Sequence, residues 1–174
     1  MKKYIYFLFV IICAVVVTGC NNTDDKKEEK VLDKYEKLSN YLVESGWKKS
    51  ENDQYGFSLK ARDILDKEGK PFNVDWYNLD IKKMNIQRTT RISQLATTTT
   101  NYSLKSNIAT GTYTLLNEKD EWDRSASFSY DFNSGSLTIS DDFFSSSCTN
   151  EAINLKEYLE DIIENSGLNV EDFK

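Results

Sequence analysis

The chain has 174 residues, 39% of them hydrophobic, enough for one domain that buries roughly two-thirds of its unfolded surface. Its 22 basic and 28 acidic residues leave a net charge of −6, which disfavours nucleic acid as a partner. Histidine is absent altogether, so Ser-His-Asp and Cys-His catalysis, histidine-based zinc sites and the usual neutral-pH general base are excluded.

Met1, Lys2 and Lys3 give a positive start, and Ile5 to Val17 follow as thirteen uninterrupted apolar residues. A spanning helix needs roughly 18 or more such residues to cross about 30 Å of hydrocarbon. The run is too short for that and matches the basic and apolar regions of a secretory signal. It closes on Val17-Thr18-Gly19-Cys20, an aliphatic residue and two small ones before a cysteine. This ending resembles the lipobox of bacterial lipoproteins. The resemblance implies diacylglyceryl transfer to the Cys20 sulfur and cleavage between Gly19 and Cys20, with residues 1–19 discarded and Cys13 lost with them. At about 0.8 kcal/mol per buried methylene, two acyl chains would keep the protein on the membrane. The competing reading is an ordinary signal peptide or uncleaved anchor with an incidental cysteine.

Cleavage would leave 155 residues; taking Lys2 and Lys3 from 22 basic residues leaves 20 against 28 acidic, a net charge of −8. Residues 20–30 read as the lipidated N-terminus and a charged tether, in which Asp24-Asp25, Lys26-Lys27 and Glu28-Glu29 nearly balance. That balance argues against a polybasic membrane clamp. As flexible coil, ten residues average roughly 17 Å end to end, so the domain would sit near the membrane without lying on it.

Residues 31–174 read as one α+β domain. Val31, Tyr35, Leu38 and Leu42, with Leu32 and Val43 widening the stripe, define an amphipathic N-terminal helix. Ser45-Gly46 ends it, and Trp47 is expected to fold back on the last turn. Tyr55, Phe57, Leu59 and Ala61 alternate with polar residues as in a half-buried antiparallel strand. After turn chemistry at 66–71, Phe72, Val74 and Trp76 begin a second strand. Its apolar parity switches at Leu79 and Ile81, which predicts a bulge or break near Tyr77-Asn78. A third strand is expected around Tyr102, Leu104 and Ile108, with another parity change by Tyr113 and Leu115. The threonine-rich stretch 89–100 favours extended structure over helix. Residues 117–123 form a charged loop. Ala126, Phe128, Tyr130 and Phe132 alternate with serines before an Asn-Ser-Gly turn, and Leu137 and Ile139 return, the clearest hairpin in the chain. A final helix starts near Thr149-Asn150, buries Ala152, Leu155, Leu159 and Ile162, and stops at Ser166-Gly167. The expected architecture is helix, antiparallel meander of about four to six strands, then helix, with both helices on one sheet face. Ser125, Ser127 and Ser129 would then leave the other face small and polar.

Candidates for chemistry are few. Cys148 precedes the last helix, where a thiolate gains stabilisation, but no histidine is available to activate it. It reads as a small buried residue, with a free exposed thiol as the alternative. One cysteine cannot staple its own domain, so the core must carry stability. Residues 131–142, with Asp131, Asn133 and Asp142, superficially resemble a calcium loop. Glycine is fifth instead of sixth and the last ligand is Asp instead of Glu, so a hairpin turn is the reading and no metal or cofactor is expected. Asp120, Glu121 and Asp123 read as a solvated acidic loop. Trp122 beside them either packs over that loop or meets a ligand. The expected function is therefore a non-enzymatic, membrane-tethered binding module on the extracytoplasmic face. Lysine- and asparagine-rich composition fits a Gram-positive surface. Its partner would be an envelope component, peptide or protein, with Trp122, Ser125, Ser127 and Ser129 as the binding surface. An immunity or superinfection-exclusion lipoprotein and a carboxylate-dependent envelope hydrolase are the alternatives.

Overall fold

The computed structural model describes residues 33–65, 67–69, 71–92, 96–116 and 122–174, with backbone alone at 71, 72, 122 and 123. The leader, the lipobox with Cys20, the tether, and the carboxylates of Asp120, Glu121 and Asp123 lie outside what is described. Helix α1 (Lys34–Glu44) leads into strands β1 (Lys48–Lys49), β2 (Gly56–Leu65), β3 (Pro71–Asp80) and β4 (Asn85–Ile92). Strands β5 (Ala96–Ser103), β6 (Ile108–Leu116), β7 (Trp122–Asp131) and β8 (Ser136–Ile139) follow, then a 3-10 turn (Asp142–Phe144) and helix α2 (Ser145–Asn165). Every strand pairs antiparallel with its chain neighbours, in the order β1 to β8.

The described residues thus hold eight strands, more than the four to six expected. The shortfall has one physical cause. Turns usually announce themselves through Gly, Pro, Asn or Asp, yet Ile81 and Met84 between β3 and β4, and Leu104 between β5 and β6, are buried core residues. Met84 and Asn107 close these turns at φ 52° and 56° without a glycine. The strand expected through Tyr102, Leu104 and Ile108 is therefore a hairpin corner. The described parts of the threonine-rich stretch, 89–92 and 96–100, are extended, as their β-branched residues favour, and lie in β4 and β5.

Cross-strand register builds the core. Phe57, Leu79, Ile86, Tyr102, Ala109, Tyr130 and Leu137 stand opposite one another in a single row across β2 to β8. Leu38 and Leu42 of α1, and Cys148, Ala152, Leu155, Leu159 and Ile163 of α2, enter the same core. Each fully buried Leu or Ile contributes on the order of 1.5–3 kcal/mol. One row further along, Gly111 lies between Thr100 and Phe128. A Cβ there would stand 2.3 Å from the Thr99 carbonyl and 2.7 Å from the Phe128 ring, so the ring packs where a side chain would otherwise project.

Both helices close alike. Trp47 N–H donates to Leu42 O at 2.9 Å and Gly46 N–H to Val43 O at 3.1 Å. Leu168 N–H donates to Ile163 O at 3.3 Å and Gly167 N–H, at φ 73°, to Glu164 O at 2.8 Å. These paired bonds satisfy the last carbonyls and turn Trp47 and Leu168 back toward the core. Val43 does not widen the buried stripe, being 52% exposed. The start of α2 also differs from expectation: it begins at Ser145, and Thr149 donates its hydroxyl to Ser145 O at 2.9 Å from inside the helix. The N-terminal cap is supplied earlier, where Asp141 accepts from Phe143 N–H ahead of the 3-10 turn.

The bulge lies in β2, between Lys60 and Arg62, whereas β3 runs unbroken against β4 through Tyr77 and Asn78. Val74 and Trp76 consequently face away from the helices, and Tyr77 and Leu79 face toward them. The parity switch read from the sequence is real, but it marks a change of face along a regular strand. Among the described residues no helix is long and apolar enough to cross a membrane.

Candidate functional site

The sheet face away from the helices carries mainly uncharged hydrogen-bonding side chains, with Lys60, Asp63 and Arg91 toward one end. Ser58, Asn78, Gln87, Asn101, Thr110, Ser129 and Thr138 occupy one cross-strand row. Beside them, Lys60, Trp76, Thr89, Thr99, Thr112 and Ser127 form the next. Strand alternation explains the chemistry: in β4 and β5 Ile86, Thr90, Thr100 and Tyr102 point to the helix side, and Gln87, Thr89, Thr99 and Asn101 to the other, where all but Thr89 are partly exposed. Amide chains link the centre of the field. Asn78 Nδ2 donates to Gln87 Oε1 at 3.3 Å, and Gln87 Nε2 donates to Asn101 Oδ1 at 3.0 Å. The Thr89 and Thr99 hydroxyls meet at 3.4 Å.

A cleft of about 490 Å³ opens over this amide row, bounded by Ser50, Asp53, Ser58, Asp80 and Asn85 as well. Its carboxylates are engaged by the fold. Asp80 accepts from the Lys82 and Lys83 N–H groups at 3.0 and 2.9 Å and pairs with Lys83 Nζ at 2.9 Å. Burial pushes the Asp80 carboxyl upward, but these donors outweigh it and hold the group below its ordinary value. Asp53 accepts from Tyr55 N–H at 2.9 Å.

The helix side holds the densest charge cluster. Arg88 grips Asp75 with two nitrogens, Nε to Oδ1 at 3.2 Å and Nη2 to Oδ2 at 3.1 Å, and reaches Glu151 of α2 through Nη1 at 3.1 Å. Thr90 donates its hydroxyl to Asp75 Oδ1 at 2.6 Å, and Arg62 stands 3.6 Å from Asp75. Burial raises the Asp75 carboxyl, yet the Arg88 and Thr90 hydrogen bonds and both arginine charges bring it below the ordinary range. For Glu151 burial wins over Arg88, and its carboxyl is raised. The two carboxylates nearest to a catalytic constellation are thus joined through one guanidinium, an arrangement suited to pinning α2 onto the sheet.

The residues singled out from sequence fall in different places. Ser125, Ser127 and Ser129 stand on the open face, alternating with buried Ala126 and Phe128. Trp122 is not in a loop: its backbone begins β7, opposite Leu116. Cys148 is fully buried inside α2, and burial, with Glu151 nearby, pushes its thiol up to about 11, so the expectation of a small buried residue describes it. Asp131 accepts from Asn133 N–H at 2.8 Å and from the Ser134 hydroxyl at 3.0 Å, which makes the calcium-like stretch a hairpin turn. Asp142 belongs to the separate 3-10 turn. Among the described residues no three Cys, Asp or Glu side chains converge as a metal site would require. The amides of Asn78, Gln87 and Asn101, and Trp76 beside them, were not singled out. Their signal was the period-two spacing of Asn85, Gln87 and Thr89 and of Thr97, Thr99 and Asn101.

Compared with protein-family models, with curated proteins and with solved structures, the chain matches none.

Proposed function

We propose that the protein is a non-catalytic binding module of the cell surface, tethered by lipid on Cys20 and presenting the sheet face away from α1 and α2 to an envelope ligand. The observation that carries this reading is the division of the sheet. One face is filled by α1 and α2 and the other keeps rows of hydroxyls and amides in solvent. A fold needs one packed face only; a second face rich in hydrogen-bonding groups is a surface suited to recognition. Ser125, Ser127 and Ser129 extend that surface onto β7, with Trp122 at the head of the same strand. The tether reading rests on the leader and lipobox. It places the module outside the cytoplasm on a chain long enough to stand clear of the headgroups.

The test is affinity capture from solubilised envelopes with the full-length protein in detergent micelles. Ser127→Arg, which plants a bulky charge in the middle of the face, is expected to reduce ligand recovery at least fivefold. Trp122→Ala is expected to reduce it to a smaller extent. Recovery equal to the parent with both variants would remove this face as the ligand surface. In parallel, a palmitate analogue should label the parent and not Cys20→Ser; equal labelling would overturn the tether.

A further inference from the structure

Three depressions adjoin one another along the open face. One of about 670 Å³ lies at the β2 edge, between Gly46 and Lys48 on one side and Lys60, Val74 and Trp76 on the other, and shares Ser58 with the amide-floored cleft of about 490 Å³. Asn85 and Asn101 carry that cleft into a third depression, also about 490 Å³, which reaches Ser103 at the end of β5 and Thr110 on β6. Together they make a trough across β2 to β6. At about 4.8 Å per strand interval, its four intervals span roughly 19 Å.

We propose that this trough binds an uncharged, linear polysaccharide. The proposal rests on the open face being the ligand surface and names the ligand class. The amide floor lies on β3 to β5, whose main-chain groups are paired on both sides in the sheet ladders. A peptide laid there would find no main-chain partners of the kind that strand addition needs. What the floor offers is side chains. Each amide of Asn78, Gln87 and Asn101 carries two donors and two acceptor lone pairs. The bonds among the three use only part of that capacity. Sugar hydroxyls both donate and accept, so a polyhydroxyl chain matches such a floor at every unit.

Charge points the same way. Asp80 is neutralised by Lys83 and Lys60 by Asp63. A phosphodiester or polyuronate chain would meet Lys48 at one end but no cation among the residues that line the amide cleft, and would approach a protein of net negative charge. Trp76 supplies the remaining element. It stands two residues from Asn78 on the same face of β3, flanked across the strands by Lys60 and Thr89. A half-buried indole beside a polar floor is an apolar platform with a hydrogen-bonding rim, and a pyranose ring presents a complementary C–H face. Linked depressions, instead of one closed pocket, suit a polymer over a single sugar.

The experiment is co-sedimentation of the full-length protein, in detergent micelles, with insoluble chitin, an uncharged linear polymer of N-acetylglucosamine. A soluble N-acetylglucosamine hexamer is the competitor. The parent should sediment, the hexamer should release it, and Asn101→Ala and Gln87→Ala should each weaken binding about tenfold. Asn154→Ala, on the exposed side of α2, should bind as the parent does. Far-ultraviolet circular dichroism checks that each variant retains its fold. Binding of both amide variants at parental strength would overturn the trough as the site. Sedimentation with cell envelopes but not with chitin would overturn the neutral-glycan class and leave the binding-module reading standing. Sedimentation with neither would remove both.

Discussion

The hydroxyl of Thr100 is fully buried on the helix side, and its Oγ1 has no hydrogen-bonding partner among the described residues. A buried donor left unmade costs about 1–3 kcal/mol, whereas a methyl of the same shape costs nothing to desolvate. Thr100→Val keeps the branched outline and removes the polar atom. It is expected to raise stability by about 1 kcal/mol, read as a higher midpoint in urea unfolding with an unchanged slope. An unchanged or lowered midpoint would mean that the hydroxyl is satisfied in solution. Its neighbour Gly111 makes the opposite point, since space there is already taken by the Phe128 ring. One position carries an atom too many for its surroundings, and the next has no room for one more.

Between elements, Arg88 joins β4 to β3 and to α2, bonding Asp75 and Glu151 at once. Removing one partner of a buried ionic cluster leaves the others uncompensated, at about 3–5 kcal/mol. Arg88→Met should therefore lower stability by about 3 kcal/mol at pH 7. The pH dependence follows from the carboxyls. In the parent, the Asp75 carboxyl is held below its ordinary value of 3.8. Its stabilising contribution is fully present above that pH and is lost as pH falls through the lowered folded value. Glu151 has the opposite sign, because its raised carboxyl is stabilised by protonation as pH falls. In the variant Glu151 loses its cation and Asp75 keeps only Arg62, so both carboxyls protonate more readily when folded. The gap between parent and variant should narrow between pH 7 and pH 4, measured by urea unfolding at both. A gap that widens on acidification would show that the cluster is not the source of the loss. Elsewhere, β1 covers only Phe57 and Ser58 of β2. The bulge and the charged Lys60, Arg62 and Asp63 along the rest of that strand oppose edge-to-edge aggregation.

At the scale of the whole molecule, a chain cut before Cys20 carries 20 basic and 28 acidic residues. Such a surface is repelled by anionic headgroups, and the proposed tether, nearly balanced in charge, would add no basic clamp. Membrane residence should then depend on the lipid alone. Purified protein begun at Asn21, with neither leader nor lipid, is expected not to float with phosphatidylglycerol vesicles, even at low ionic strength, where electrostatic attraction would be strongest. Flotation at low salt that disappears at high salt would reveal a basic surface and displace the lipid as the only anchor.

Much of the architecture was legible because it is local. Both helices end where Ser-Gly pairs stand, and β7 and β8 alternate as Ala126, Phe128, Leu137 and Ile139 predict. The absence of histidine narrowed the chemistry with no fold in hand. Turn positions were legible where glycine marked them, at Gly69 and at Asn133 to Gly135, and not at Met84 or at Leu104, where a buried leucine masked the turn that Asn107 closes. What the tertiary structure alone decided is which side of the sheet each residue faces and which strands lie next to it. A bulge at Lys60–Arg62 and an unbroken β3 sent Trp76 outward beside Asn78. Cross-strand register then gathered amides 23 positions apart, from Asn78 to Asn101, into one row. Propensity and periodicity act over a few neighbouring residues, whereas register is set by hydrogen bonds and packing against strands distant in the chain. That is why the elements could be read in advance and the surface they assemble could not.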